Sequence, residues 1–246
     1  MDKLLYVAMS GATQTLRAQA ANSHNLANAN TTGFKADLSA FQSRAVAGPG
    51  FASRVYATDA SVGFDSSVGS QITTGNPFDV AVQGQGFIAV QDSQGNEAYT
   101  RAGDLHVDPN GQLMTAAGLQ VLGDGGPISV PPFATASVAS NGTISIVPMG
   151  QTPQTISNVG RIKLVNPPAG TVSRSTDGLF RTSDGKPAEA DASTTVASGV
   201  LEGSNVDLAG SMVDMIELSR HFDLQIKALH TAEDNATASA KLLQAS

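Results

Sequence analysis

Asp79, Asp92, Asp104 and Asp108 are the residues of this 246-residue chain that come nearest to acid–base chemistry, because two converging carboxylates can cleave a glycosidic bond. Each stands beside a glycine or a turn, where aspartate is common for conformational reasons alone. Asp108-Pro109-Asn110-Gly111 begins like a calcium loop, but Pro109 and the missing distal glutamate break the pattern, and a hairpin turn fits better. The four histidines are His24, His106, His221 and His230, and no pair has the i,i+4 spacing with a glutamate that marks a helical metalloprotease. His221 and Asp223 are two apart and face different sides of a helix. Gly84-Gln85-Gly86 lacks the third glycine and following helix of a dinucleotide site and reads as a tight turn between strands. There is no Gly-x-Ser-x-Gly elbow. The chain is read as non-enzymatic, with no cofactor, no metal and no small-molecule substrate.

Composition narrows the partners. The formal net charge is −7, with 14 Lys and Arg that form no run, which excludes a nucleic-acid or anionic-membrane surface. Cysteine is absent, so disulfides and thiolate chemistry are excluded, which suits a chain that threads a channel unfolded or works in an oxidising compartment. No stretch reaches the ~18 apolar residues of a membrane span. Lys3 precedes the apolar run Leu4 to Met9, but that run is shorter than the ~7 to 15 residues of a signal peptide, and Asp2 weakens its positive start. The apolar spacing continues to Leu16, so the segment is expected to stay on the chain as a helix.

The elements that must position any site fall into a helical pair of ends and a β-rich middle. Leu208, Met215, Phe222, Leu229, Ala236 and Leu243 recur at seven-residue steps, with Met212, Leu218, Ile226, Ala232 and Ala240 filling the stripe. This predicts a helix over 206–245, with Ser204 and Asn205 as candidate caps and Asp223 and Lys227 as an i,i+4 pair. A thinner stripe of Leu5, Met9, Ala12, Leu16, Ala20 and Ala27, with Leu26 beside it, predicts a helix over 4–30 that stops at Gly33. Asn22, Asn25, Asn28 and Asn30 are either a solvated helix end or a polar stripe that bonds a neighbour. Residues 35–70, with Gly48-Pro49-Gly50 near their centre, read as an extended connector.

From Ile72 short strands follow: Phe78 to Val82, Gly86 to Gln91, Glu97 to Arg101, Leu105 to Val107, Leu119 to Leu122, Ile128 to Val130, Ser137 to Ser140, Thr143 to Val147, Arg161 to Val165 and Leu179 to Thr182. Asn76-Pro77, Asp108-Pro109-Asn110-Gly111, Asn141-Gly142, Asp177-Gly178 and Asp184-Gly185 punctuate them. The fold class is α+β: terminal helices, 1–34 and 204–246, pair as a coiled-coil-like assembly domain, and 71–203 form a central antiparallel β-domain. A thin amphipathic helix is marginal alone, so the ends are expected to become ordered on assembly.

Several segments together resemble the flagellar rod and hook proteins. Ser10-Gly11, then Asn25-Leu26-Ala27-Asn28 and Thr31-Thr32-Gly33-Phe34-Lys35, are similar to the family's N-terminal signature. The stretch from Gly75 to Phe87 resembles its central motif, followed by Tyr99-Thr100-Arg101-Ala102-Gly103. Gly199-Val200-Leu201-Glu202-Gly203-Ser204-Asn205-Val206-Asp207 resembles the motif that opens its C-terminal helix, with Arg220 where the family has an arginine. The departures are His24 for an asparagine, Gln85 for an aspartate and Ile88 for an aromatic. The short connector and the opening Met1 to Tyr6 look most like the proximal-rod branch.

The resemblance implies an axial subunit of the bacterial basal-body rod, in the periplasm. Such a subunit is exported through the flagellar channel without a cleaved signal. It stacks helically with copies of itself and with related proximal and distal rod proteins, and forms the torque-transmitting shaft around that channel. Leu5, Met9, Leu16, Asn25, Leu26, Asn28, Leu208, Met212, Met215, Phe222, Ile226, Leu229 and Leu243 are the candidate assembly interface. A distal-rod or hook-type paralogue is the nearer alternative. A secreted β-domain that binds or cleaves carbohydrate, or acts as an adhesin, is the more distant one and requires a shared acidic cleft or a processed N-terminus.

Overall fold

A computed structural model describes residues 2–45, 55–152, 154–168 and 170–244. The chain divides into a helical unit, residues 1–28, 37–63 and 206–246, and a β-unit, residues 29–36 and 64–205.

In the helical unit, α1 (Asp2–Ala27) and α2 (Leu208–Gln244) pack against each other. The predicted stop at Gly33 is corrected: α1 ends at Ala27. There the Asn28 amide donates to the His24 and Asn25 carbonyls at 3.2 and 3.1 Å, and its side chain donates to His24 O at 2.9 Å. An asparagine side chain that satisfies an orphan carbonyl ends a helix as well as a glycine does. The predicted caps of α2 are corrected too. Asp207 caps it, its Oδ1 accepting from the Ala209 amide at 3.1 Å. The Asn205 side chain is committed elsewhere, as described below.

Small side chains make the α1 side of the helix pair. Ala8, Ala12, Thr15, Ala18 and Asn25 are buried, and a Cβ on Gly11 would lie 3.0 Å from the Gln225 side chain. Facing them, Ala232 is buried and Met215, Leu218, Phe222 and Leu229 are half-buried. Steps of three and four on each helix keep these stripes on one side. Part of the region read as a connector is strand: Asp37–Ala45 pairs with Val55–Phe64. Gly48-Pro49-Gly50 lies outside the described residues.

The β-unit is built on a nine-stranded sheet. Its strand order is Val172–Arg174, Phe180–Thr182, Glu97–Thr100, Phe87–Gln91, Gln120–Gly123, Leu113–Thr115 and Leu105–Val107. Gly126–Pro127 also pairs with Gln120–Gly123, and Leu164–Val165 with Phe87–Gln91; the neighbouring strands are antiparallel. Phe133–Val138, Thr143–Pro148 and Ser157–Arg161 form a three-stranded antiparallel sheet. Val80–Gln83 pairs with Thr195–Ser198, and Gln71–Thr73 with Val200–Glu202.

The continuous apolar run Phe87-Ile88-Ala89-Val90 is buried on both faces. Ile88 and Val90 join a core with Val82, Leu113, Ile144 and Leu164, while Phe87 and Ala89 pack with Tyr99, Val165 and Phe180. The expected strand at Ile128 to Val130 is corrected: Ser129 makes an isolated bridge with Gln112, while Ile128 bonds Val121 and Leu113, Val130 bonds Gly111, and both side chains join the core.

Candidate assembly site

The helical unit leaves many of its large apolar side chains exposed. On α1, Leu5, Tyr6, Met9 and Leu16 are exposed, and on α2 so are Leu208, Met212, Val213, Ile216 and Leu224, all between 39% and 59%. The cause lies in the residue types: α1 turns its alanines and Thr15 toward α2, which permits close approach, and the bulkier stripe is left over. Isolated apolar residues on a surface are ordinary; here nine lie on two helices that pack together.

Among the candidate interface residues, Leu5, Met9, Leu16, Leu208 and Met212 are exposed, while Leu26, Asn28, Met215, Phe222, Ile226 and Leu229 are half-buried within the single chain. Asn25 is engaged internally: its amide donates to the Asp37 carbonyl at 3.0 Å and its carbonyl accepts the Asp37 amide at 2.8 Å. His24 Nδ1 lies 2.7 Å from Asp37 Oδ2. Asn22 donates to the Ser211 carbonyl at 2.6 Å. These two asparagines bond within the helical unit itself. Leu243 lies in α2, and its side chain is outside the described set.

The β-unit contains a buried charge cluster that spacing along the chain does not reveal. Glu202 accepts from Lys35 Nζ at 2.5 Å and from Arg101 Nη1 at 2.7 Å, with 1% to 2% of any of the three side chains exposed. Lys35 also donates to the Ser67 carbonyl at 2.6 Å, and Arg101 to the carbonyls of Val82, at 3.1 Å, and Gly84. Burial pushes the Lys35 ammonium below the usual lysine range, against the pull of its bond to Glu202. The backbone closes on the same point. The Gly33 amide donates to the Glu202 carbonyl at 2.7 Å, and the Gly69 amide to Glu202 Oε1 at 3.0 Å. Asn205 accepts the Ala36 amide at 2.7 Å and donates to the Asp65 and Ser67 carbonyls at 3.0 and 3.1 Å. The Arg174 guanidinium lies 4.5 Å from the centre of the Phe34 ring and donates to the Lys35 carbonyl. The cluster joins Thr31 to Lys35, Tyr99 to Gly103 and Gly199 to Asn205, the segments whose wording carries the family resemblance. The signal was therefore present: one charged residue, Lys35, Arg101 or Glu202, stands in each of three otherwise weakly charged motifs.

The four aspartates first read as possible catalytic groups do not share a cleft. Asp92 bonds Arg181 at 2.9 Å, which holds its carboxyl at about 2, and Asp108 accepts the Asn110 and Gln112 amides of its turn. Asp79 and Asp104 do face each other across an isolated bridge. Asp79 is held by Thr74 and Asn76, while burial, with a smaller push from Asp79, raises the Asp104 carboxyl. Among the described residues no group of three or more His, Cys, Asp or Glu could hold a metal, and no helix is long and apolar enough to cross a membrane.

Two packed terminal helices with bulky residues exposed, joined in sequence by an antiparallel β-unit, define the class of protein. Three family models match it in order: "Flagella basal body rod protein" over residues 5–35, "Flagellar hook protein FlgE/F/G D1 domain" over 81–146 and "Flagellar basal body rod FlgEFG protein C-terminal" over 197–242. The flagellar basal-body rod protein FlgF of Escherichia coli is 43% identical over 252 residues, covering 100% of both chains, and that of Salmonella typhimurium is equally similar. The rod protein FlgG of Bacillus subtilis is 31% identical over 234 residues, with 86% of this chain covered. The chain belongs to the flagellar basal-body rod family, within its FlgF branch of proximal-rod proteins. It is a structural subunit of the flagellar basal body.

Proposed function

We propose that the helical unit is the assembly domain of this subunit. In this reading α1 and α2 pair in a coiled-coil-like manner, small residues of α1 meeting Met215, Leu218, Phe222 and Leu229 of α2. The outward stripe from Leu5 to Leu16 and from Leu208 to Leu224 packs on copies of the chain and on related rod proteins in a helical lattice. Residues 71–203 form the separate β-domain. The lattice encloses the export channel through which the chain itself travels unfolded, without a cleaved signal, and it transmits torque across the periplasm.

The exposure of nine large apolar side chains, from 39% to 59%, on helices whose mutual seam is already filled carries this reading. Covering the exposed half of each is worth about 1 kcal/mol, so one copy gains on the order of 10 kcal/mol from many weak contacts. Distributed contacts of that kind resist twist better than one strong contact. Asp92 and Asp108 are each committed to separate local contacts, which gives a carbohydrate-active reading no support.

The test is a charge placed on the outer stripe. Ile216→Glu and Leu16→Glu should leave the far-ultraviolet circular dichroism of the purified chain unchanged while abolishing rod assembly and motility in cells. Normal rods built from both variants would refute the proposal.

A further inference from the structure

We propose that Lys35, Arg101 and Glu202 make a clasp that opens and closes as a separate step within the β-unit. In that step the stretches 29–36, 64–70 and 199–205 lock together only when Glu202 docks. These are also the stretches through which the chain of the β-unit continues into the helical unit.

The charges argue for a separate step. Two cations are buried against one carboxylate, and their remaining partners are the backbone carbonyls of Ser67, Val82 and Gly84. Among the described residues Arg101 Nε has no hydrogen-bond partner, and the carboxylate bonded to that guanidinium is Glu202. Before Glu202 docks, Lys35 and Arg101 cannot both be dehydrated without a large cost, and this edge of the unit stays wet.

The connectivity argues the same way. Glu202 lies 167 residues from Lys35 and 101 from Arg101, so its contacts close long loops, as do those of Asn205 with Phe34 and Ala36 beside it. Arg101, by contrast, directly follows the strand Glu97–Thr100 and bonds the carbonyls of Val82 and Gly84, contacts that do not require Glu202. The strands Phe87–Gln91 and Glu97–Thr100 are held by their own ladder and by the core. The amides of Gly33 and Gly69 bond Glu202 directly, and that of Gly203 bonds Ser70 O at 2.7 Å, so all three report on one event. A chain delivered from its N-terminus, by ribosome or by pore, presents both cations long before the carboxylate arrives. The clasp therefore closes last.

Native-state hydrogen exchange on the full chain tests this. The amides of Gly33, Gly69 and Gly203 should share one opening equilibrium, at lower denaturant cost than Ala89 and Tyr99. Glu202→Gln should speed exchange at the three glycines by about 100-fold or more, and at Ala89 and Tyr99 by less than about tenfold. Unrelated rates at the three glycines in the unsubstituted chain would overturn the proposal. So would equal acceleration at all five amides in the variant. Should Glu202→Gln fail to fold, the measurement on the unsubstituted chain decides alone.

Discussion

Lys35 Nζ lies 2.5 Å from Glu202 Oε1, although 167 residues separate the two in the chain. Arg101 takes the other carboxylate oxygen at 2.7 Å. A single buried carboxylate thus offsets two buried cations, and the two ways of breaking the cluster are unequal.

Removing the carboxylate leaves both cations without a bonded counter-charge, with only the longer-range pull of Asp65 on Lys35, so Glu202→Gln should cost about 3–5 kcal/mol in urea unfolding of the β-unit. Lys35→Met keeps a one-to-one pair between Arg101 and Glu202 and retains an apolar stem in place of the lysine chain, so it should cost less than half as much. Equal losses in the two variants would show that packing, and not charge count, governs the cluster.

Gly33 and Gly75 both have left-handed backbones, with φ of 68° and 76°. They differ in space: a Cβ at Gly33 would sit 2.2 Å from the Arg101 carbonyl carbon, while one at Gly75 meets nothing within 4 Å. Gly75→Ala should therefore cost about 1–2 kcal/mol, the backbone strain alone. Gly33→Ala must also push two backbones apart beside the buried charges, and should cost visibly more in the same chemical denaturation. A Gly33→Ala chain no less stable than Gly75→Ala would contradict the close approach.

Asp104 has a buried Oδ1 with no hydrogen-bond partner among the described residues, and its carboxyl is raised first by burial and then by Asp79; His106 pulls weakly the other way. Because the folded-state value lies above the ordinary 3.8, the stabilising contribution is fully present below pH 3.8 and is lost as the pH rises through the raised value. At pH 7 the ionised group is a liability. Asp104→Asn should raise stability at pH 7 by on the order of 1 kcal/mol, reduced by the solvent that reaches the site, and change it little at pH 3. Thermal melts of both chains at the two pH values check this, and an identical shift at both would reject the electrostatic cause.

Much of the architecture is written locally. The seven-residue recurrence from Leu208, the run Phe87-Ile88-Ala89-Val90 and the turn at Asp108-Pro109-Asn110-Gly111 each depend on neighbours a few residues away, and each forms as its spacing predicts. The α+β class, the antiparallel middle and the family placement follow from such signals. The limits of α1 do not, because Asn28 and Gly33 are both competent to end a helix and only the folded chain shows which one does.

The helix faces and the charge cluster belong to the tertiary structure. On α1 the stripe of Ala8, Ala12 and Thr15 and the stripe of Leu5, Met9 and Leu16 repeat at nearly the same interval, so periodicity cannot say which one meets α2; close backbone approach selects the small residues and turns the bulky ones out. Lys35, Arg101 and Glu202 look individually like solvated charges. They become a buried site because the pairing of Val200–Glu202 with Gln71–Thr73 and the turn at Gly33 carry them to one point. Residue types and short spacings set what each segment can form, whereas contacts across more than a hundred residues depend on which surfaces exclude water together.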